Sequence, residues 1–161
     1  MSSSAALMKR LQLLFSTYKH MNPFMNCGVE EFRVISVDQK RYRTEFEVTK
    51  DMVNPINNLH GGCSATLLDI GCSAAAFVRG KVVLSINQEI TVVAPAKLGD
   101  TVLMDIELVR LGKTQCYTRG ELIRKADSQV IVFGTCTYTV PPMRVVPGPA
   151  HDLIDQLSKI N

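Results

Sequence analysis

Tryptophan is absent, and aromatic residues make up only 6% of the chain. Basic and aromatic residues are not interleaved as a single-strand nucleic-acid groove requires. Charge of one sign is also lacking: eighteen Lys and Arg stand against fifteen Asp and Glu, a net +3. Such a balance does not call for nucleic acid, although it tolerates an anionic ligand. The five cysteines are odd in number and form no CxxC pair. This argues against a disulfide frame and for free thiols in a reducing compartment. No apolar run reaches the ~20 residues that span a bilayer. Acids are missing from the first 29 positions, which begin with serines and carry Lys9, Arg10, Lys19 and His20. That segment reads either as a mitochondrial presequence or as an amphipathic helix with Leu7, Leu11, Leu14 and Tyr18 as its stripe. A cytoplasmic or mitochondrial location is expected.

What is present fits one domain over all 161 residues. Its core is expected over about 30–140, after an N-terminal helical segment (1–29) and before a Pro-rich tail with a short helix (141–161). Residues 4–19 read as helix, and MNPFMNCG breaks it. Glu31 to Val37 reads as a first strand. Residues 41–48 alternate, with Tyr42, Thr44, Phe46 and Val48 on the inner face. Residues 82–93 place Leu84, Ile86, Gln88, Ile90 and Val92 on one face, and Ser85, Asn87, Glu89 and Thr91 on the other. Strands follow over 101–110, with Val102, Met104, Ile106 and Leu108 inward, and then over 114–125 and 129–140. Pro141-Pro142 and Pro147-Gly148-Pro149 read as a stiff tail before a helix at 150–160.

Between the second and third strands lies NPINNLHGGCSATLLDIGCSAAAFVR, residues 54–79. After its glycine pair this is a helix with almost no polar surface. Apart from cysteines, its only ionisable side chain from Gly61 to Val78 is Asp69. Gly62, Thr66, Asp69 and Ser73 fall on one face at spacings of four, three and four. A helix apolar nearly all round is buried. The element order predicts an α+β protein whose antiparallel sheet wraps around this helix. One sheet covers only part of so apolar a helix, and a second copy of the chain is the simplest further cover.

The order and the motifs together resemble the hotdog fold, in particular the phenylacetyl-CoA thioesterase-like branch of the acyl-CoA thioesterases. The residues that carry the resemblance are Asn54, His60-Gly61-Gly62, Asp69 eight positions beyond Gly61, and Ser85. Pro95 to Asp100 (PAKLGD) and the Gly112-Lys113-Thr114 turn add to it. The resemblance covers about residues 30–140. It implies hydrolysis of fatty or aryl acyl-CoA without a cofactor, by a homodimer or a dimer of dimers. The Gly61 N–H is implied as the main oxyanion donor, helped by the Asn54 amide. Asp69 is implied as general base or nucleophile, and Ser85 as the group orienting water.

Each role is chemically reasonable. A helix N-terminus offers unpaired N–H groups and a positive dipole end, and glycine lets a carbonyl approach it. Asp69 has no cation three or four residues away. His60 either orients the Asn54 segment by a hydrogen bond or titrates near neutrality. His60-x-x-Cys63 has no second ligand pair, so no metal is expected, and Cys63 and Cys72 read as packing residues. The turn Arg110, Gly112, Lys113, Thr114 and Gln115 suits the phosphates of CoA, with Arg110 where the branch usually has lysine. Thr139 is a further candidate contact.

Gly61 and Asp69 are separated by about 12 Å along a helix axis, too far to act on one thioester. The spacing therefore predicts a composite site, with Asp69 and Ser85 from one subunit and Asn54 and Gly61 from its partner. Two other readings compete. A hotdog hydratase would want a His paired with the acid. A non-catalytic acyl-CoA, lipid-binding or scaffold module would not need these residues intact.

Overall fold

The computed structural model describes residues 3–26, 28–29 and 32–160. Its principal elements are α1 (Ser4–Lys19), β1 (Arg33–Val37), β2 (Arg41–Glu47), α2 (Gly61–Phe77), β3 (Leu84–Val92), β4 (Thr101–Leu111), β5 (Gln115–Arg124), β6 (Gln129–Thr139) and α3 (Gly148–Ser158). Six strands form one antiparallel sheet in the order β1-β2-β4-β5-β6-β3. The sheet wraps around α2, which is the α+β hotdog arrangement.

Alternation decides which side chains reach α2. Tyr42, Thr44 and Phe46 of β2 are buried, as are Val102, Met104, Ile106 and Leu108 of β4. The helix lies close on the sheet because glycines face it. A Cβ at Gly71 of α2 would sit 2.7 Å from the Met104 sulfur, and one at Gly120 of β5 would sit 2.8 Å from Leu68 Cδ2. Both are well inside van der Waals contact, so a Cβ at either position would displace the end of a core side chain between helix and sheet. Gly80 adopts φ +76° just beyond the end of α2, a left-handed turn that glycine accepts without strain.

The N-terminal segment packs as an amphipathic helix. The Ser3 hydroxyl caps α1 by accepting the Ala6 N–H at 3.2 Å. Leu7, Leu11, Leu14 and Tyr18 are buried, with Phe15 beside them. Phe15 meets Phe32 edge-on, with 5.1 Å between ring centroids. Among the described residues, no helix is long and apolar enough to cross a membrane.

Two expectations need correction, and a third falls partly outside the described residues. The described part of the first strand is Arg33–Val37; Glu31 lies outside the described residues. Gly148 and Pro149 belong to the first turn of α3, with Pro147 as its N-cap. Proline fits there because N–H groups in a first turn need no helical acceptor. Most consequentially, β3 does not keep strict alternation. Its pairing with β6 slips between Ser85 and Asn87, so Ile86 is an extra residue. This β-bulge puts Ser85 and Gln88 on the same side, toward α2, although their parity differs. Gln88 Nε2 donates to the Ala65 carbonyl at 2.7 Å, and Ser85 bonds to Asp69.

Candidate active site

The loop before α2 is held by Asn54. Its Oδ1 accepts the N–H groups of Ile56 and Asn58, each at 3.1 Å. Two N–H donors on one atom identify that atom as the oxygen and leave Nδ2 as a donor. The loop is also pinned to the Pro95–Asp100 segment, since Leu59 N–H donates to the Ala96 carbonyl at 2.7 Å.

His60 is the N-cap of α2. Its Nδ1 accepts the Gly62 N–H at 2.9 Å, which places the ring proton on Nε2. Its own backbone N–H goes to the Met52 carbonyl at 2.9 Å. His60 therefore orders the helix start through its ring, and among the described residues that ring makes no hydrogen bond to Asn54. With the Gly62 N–H used by the cap, the Gly61 N–H has no acceptor among the described residues. A Cβ at Gly61 would meet nothing within 4 Å. Asn54 and Gly61 line one groove of about 470 Å³, walled by Val92 to Ala96.

Asp69 lies elsewhere, in the middle of α2, and does not line that groove. It is half-buried, on the same incompletely covered stripe as Thr66 and Ser73. Ser85 Oγ donates to Asp69 Oδ1 at 2.8 Å. Tyr138 OH lies 3.2 Å from the same Oδ1 and 3.1 Å from the Asp69 backbone carbonyl. Ser85 and Tyr138 are cross-strand partners on β3 and β6, so the sheet delivers both hydroxyls to one carboxylate oxygen. Burial pushes the Tyr138 phenol far above the ordinary tyrosine range, reinforced by Cys72, Cys136 and Asp69. Tyr138 thus stays protonated and is the donor toward the Asp69 oxygens. Among the described residues the Oδ2 atom has no hydrogen-bond partner, which leaves it for water or substrate.

Sequence reasoning missed Tyr138. Its inward position on β6 was readable from alternation, and a buried tyrosine hydroxyl usually has a polar partner. Which partner depends on strand order, which alternation does not contain. Gln88 was missed too, because the bulge hides its relation to Ser85.

The β4–β5 turn gathers the expected CoA contacts. Arg110, Gly112, Lys113, Thr114 and Gln115 line a groove of about 430 Å³. The turn closes through the Gly112 N–H to the Gln115 carbonyl at 2.8 Å. Thr139 stands just outside: its hydroxyl donates to the Thr114 carbonyl at 3.4 Å, and Thr137 lines the groove instead. Cys63 and Cys72 are both buried, as packing residues are.

Known proteins resemble this chain in sequence and in fold. Residues 56–131 match the family model described as the thioesterase superfamily. Human acyl-coenzyme A thioesterase 13 is 35% identical over 95 residues, covering 58% of this chain and 68% of that protein. The structure of mouse thioesterase superfamily member 2 superposes with a TM-score of 0.74 at 26% identity, over 88% of this chain and 100% of that one. A Streptococcus pneumoniae hypothetical thioesterase, solved with coenzyme A, superposes with a TM-score of 0.66 at 19% identity, over 73% of this chain and 94% of that one. The chain belongs to the thioesterase superfamily, as an acyl-CoA thioesterase with the hotdog fold.

Proposed function

We propose that this protein hydrolyses fatty or aryl acyl-CoA in a site shared between two copies of the chain. Asp69 Oδ2 of one copy takes a proton from water, and the water oxygen attacks the thioester carbon. The oxyanion forms against the Gly61 N–H and Asn54 Nδ2 of the other copy. Collapse of the tetrahedral intermediate breaks the carbon–sulfur bond. The proton on Asp69 then leaves with the CoA sulfur, releasing acid and CoA. Ser85 and Tyr138 hold Oδ1 and so aim Oδ2. The β4–β5 turn holds the CoA phosphates, in keeping with the bacterial relative solved with coenzyme A.

One observation carries the shared site. Within one chain, the Gly61 N–H and Asp69, eight residues on, lie about 12 Å apart on a straight helix, and Asp69 does not line the groove that Asn54 and Gly61 share. A second supports it: the β3 edge beside Asp69 is apolar and exposed, with Leu84 56%, Ile86 58% and Val92 51% accessible. A free edge of this kind is normally paired or covered.

The test mixes two inactive variants, Asp69→Asn and Gly61→Pro, under conditions where subunits exchange. Thiol release from a panel of acyl-CoAs is then followed. In a two-fold dimer, half of each mixed pair is an intact site, so about a quarter of parental activity returns. No recovery after proven exchange overturns the shared site. A parent that releases no thiol from any acyl-CoA overturns the hydrolysis itself.

A further inference from the structure

The arginines fall into two groups. Arg33, Arg41, Arg43, Arg119 and Arg124 each meet a carboxylate. Among the described residues, Arg10, Arg79, Arg110 and Arg144 meet none. Arg10, Arg79 and Arg110 converge, with Lys40, on one groove of about 590 Å³ whose lining contains no Asp or Glu. Four separate elements supply these cations: α1, the β1–β2 turn, the end of α2, and β4.

Two of the guanidiniums are held in place by backbone carbonyls. Arg10 donates to the Val78 carbonyl at 3.0 Å and to the Ile160 carbonyl at 2.8 Å. Arg79 donates to the Ala75 carbonyl at 2.5 Å and the Gln39 carbonyl at 2.7 Å. Carbonyls fix the direction of these groups without cancelling their charge. Burial pulls the Arg79 pKa down, against the charged form. The Asp38 carboxylate is close enough to feel Arg79, but it accepts the Lys40 and Arg41 N–H groups at 2.7 Å each and lines a different cavity.

We propose that this groove binds a phosphomonoester dianion. Pre-oriented, planar guanidiniums suit phosphate oxygens, and Lys40 adds a point charge at the rim. Leu7, Leu108 and Leu111 give the groove an apolar side, so the ligand carries its phosphate on a less polar body. Val109 and Arg110 also line the β4–β5 turn groove, which makes the two cavities neighbours. The phosphate therefore comes from one of two sources: the 3′-phosphate of CoA itself, or a separate phosphorylated compound. Only the first rests on the acyl-CoA reading above.

Lys40→Glu reverses one charge at an exposed turn whose closure uses the backbone N–H of residue 40. Calorimetric titration of the full chain with CoA, 3′-dephospho-CoA and inorganic pyrophosphate separates the possibilities. If the 3′-phosphate of CoA is the occupant, Lys40→Glu weakens CoA about tenfold and leaves 3′-dephospho-CoA unchanged, and Lys40→Arg restores binding. If a separate phosphate compound is the occupant, pyrophosphate binds the parent and is lost in Lys40→Glu, while both CoA forms bind parent and variant alike. Equal binding of all three probes to parent and variant overturns the groove and leaves the acyl-CoA reading standing. Equal weakening of CoA and its dephospho form, without pyrophosphate binding, also overturns it, because that is general charge repulsion. A parent that discriminates pyrophosphate but binds no CoA removes the acyl-CoA reading alone.

Discussion

The two ends of the sheet are finished differently. At the β1 end, α1 lies over the strands and Phe15, Phe32 and Phe46 form an aromatic cluster. At the β3 end, Leu84, Ile86 and Val92 stay exposed, and the Asp69–Ser85–Tyr138 network sits beside them. One end is completed by the chain itself. The other is left unfinished where the chemistry is. A flank covered within the chain contributes to folding stability, whereas a flank open to a second copy ties activity to assembly.

The comparison breaks most sharply at the open end. Asp69→Asn preserves shape but removes the proton acceptor, so kcat falls by ~10²–10⁴ while the melting temperature barely moves. A variant with near-parental kcat would remove Asp69 from its role. At the covered end the pattern inverts. Phe15→Ala opens a cavity in the cluster and costs about 3–5 kcal/mol of stability, read as a lower urea midpoint. Its kcat at low temperature stays near the parental value; a selective loss of kcat would mean that this end also serves the site.

Smaller effects sharpen the same contrast. Gly61→Pro deletes one N–H at the first helical position, where proline is tolerated. Thiol-release kinetics should fall ~10²–10³-fold in kcat, whereas Gly61→Ala, which keeps the N–H, should retain most activity. Equal losses in both variants would point to space rather than the donor. Least severe is Tyr138→Phe. Losing one of two donors to Oδ1 should lower kcat about tenfold with little change in KM. An unchanged kcat would make Ser85 sufficient to hold the carboxylate.

Much of this was legible without coordinates. The alternation in β2 and β4, the apolar run of α2 and the polar stripe at Gly62, Thr66, Asp69 and Ser73 are local periodicities, and the fold obeys them. His60 was legible as important but not as a cap, because its neighbours left both an Asn54 contact and a titrating role open. Ser85 and Gln88 were read on opposite faces of their strand, since the extra residue at Ile86 inverts the side chains that follow it. Tyr138 was invisible as a site residue, because its link to Asp69 spans 69 positions.

By itself the sequence determined the elements, the buried helix and the separation of Gly61 from Asp69, because these follow from repeat geometry along one chain. The tertiary structure alone decided which hydroxyls aim Asp69, that His60 spends its ring nitrogen on the helix start, and that three arginines and a lysine from four elements meet in one groove. The physical reason is that strand order, bulges and helix docking join distant residues through packing and hydrogen bonds, and no local pattern encodes those joins.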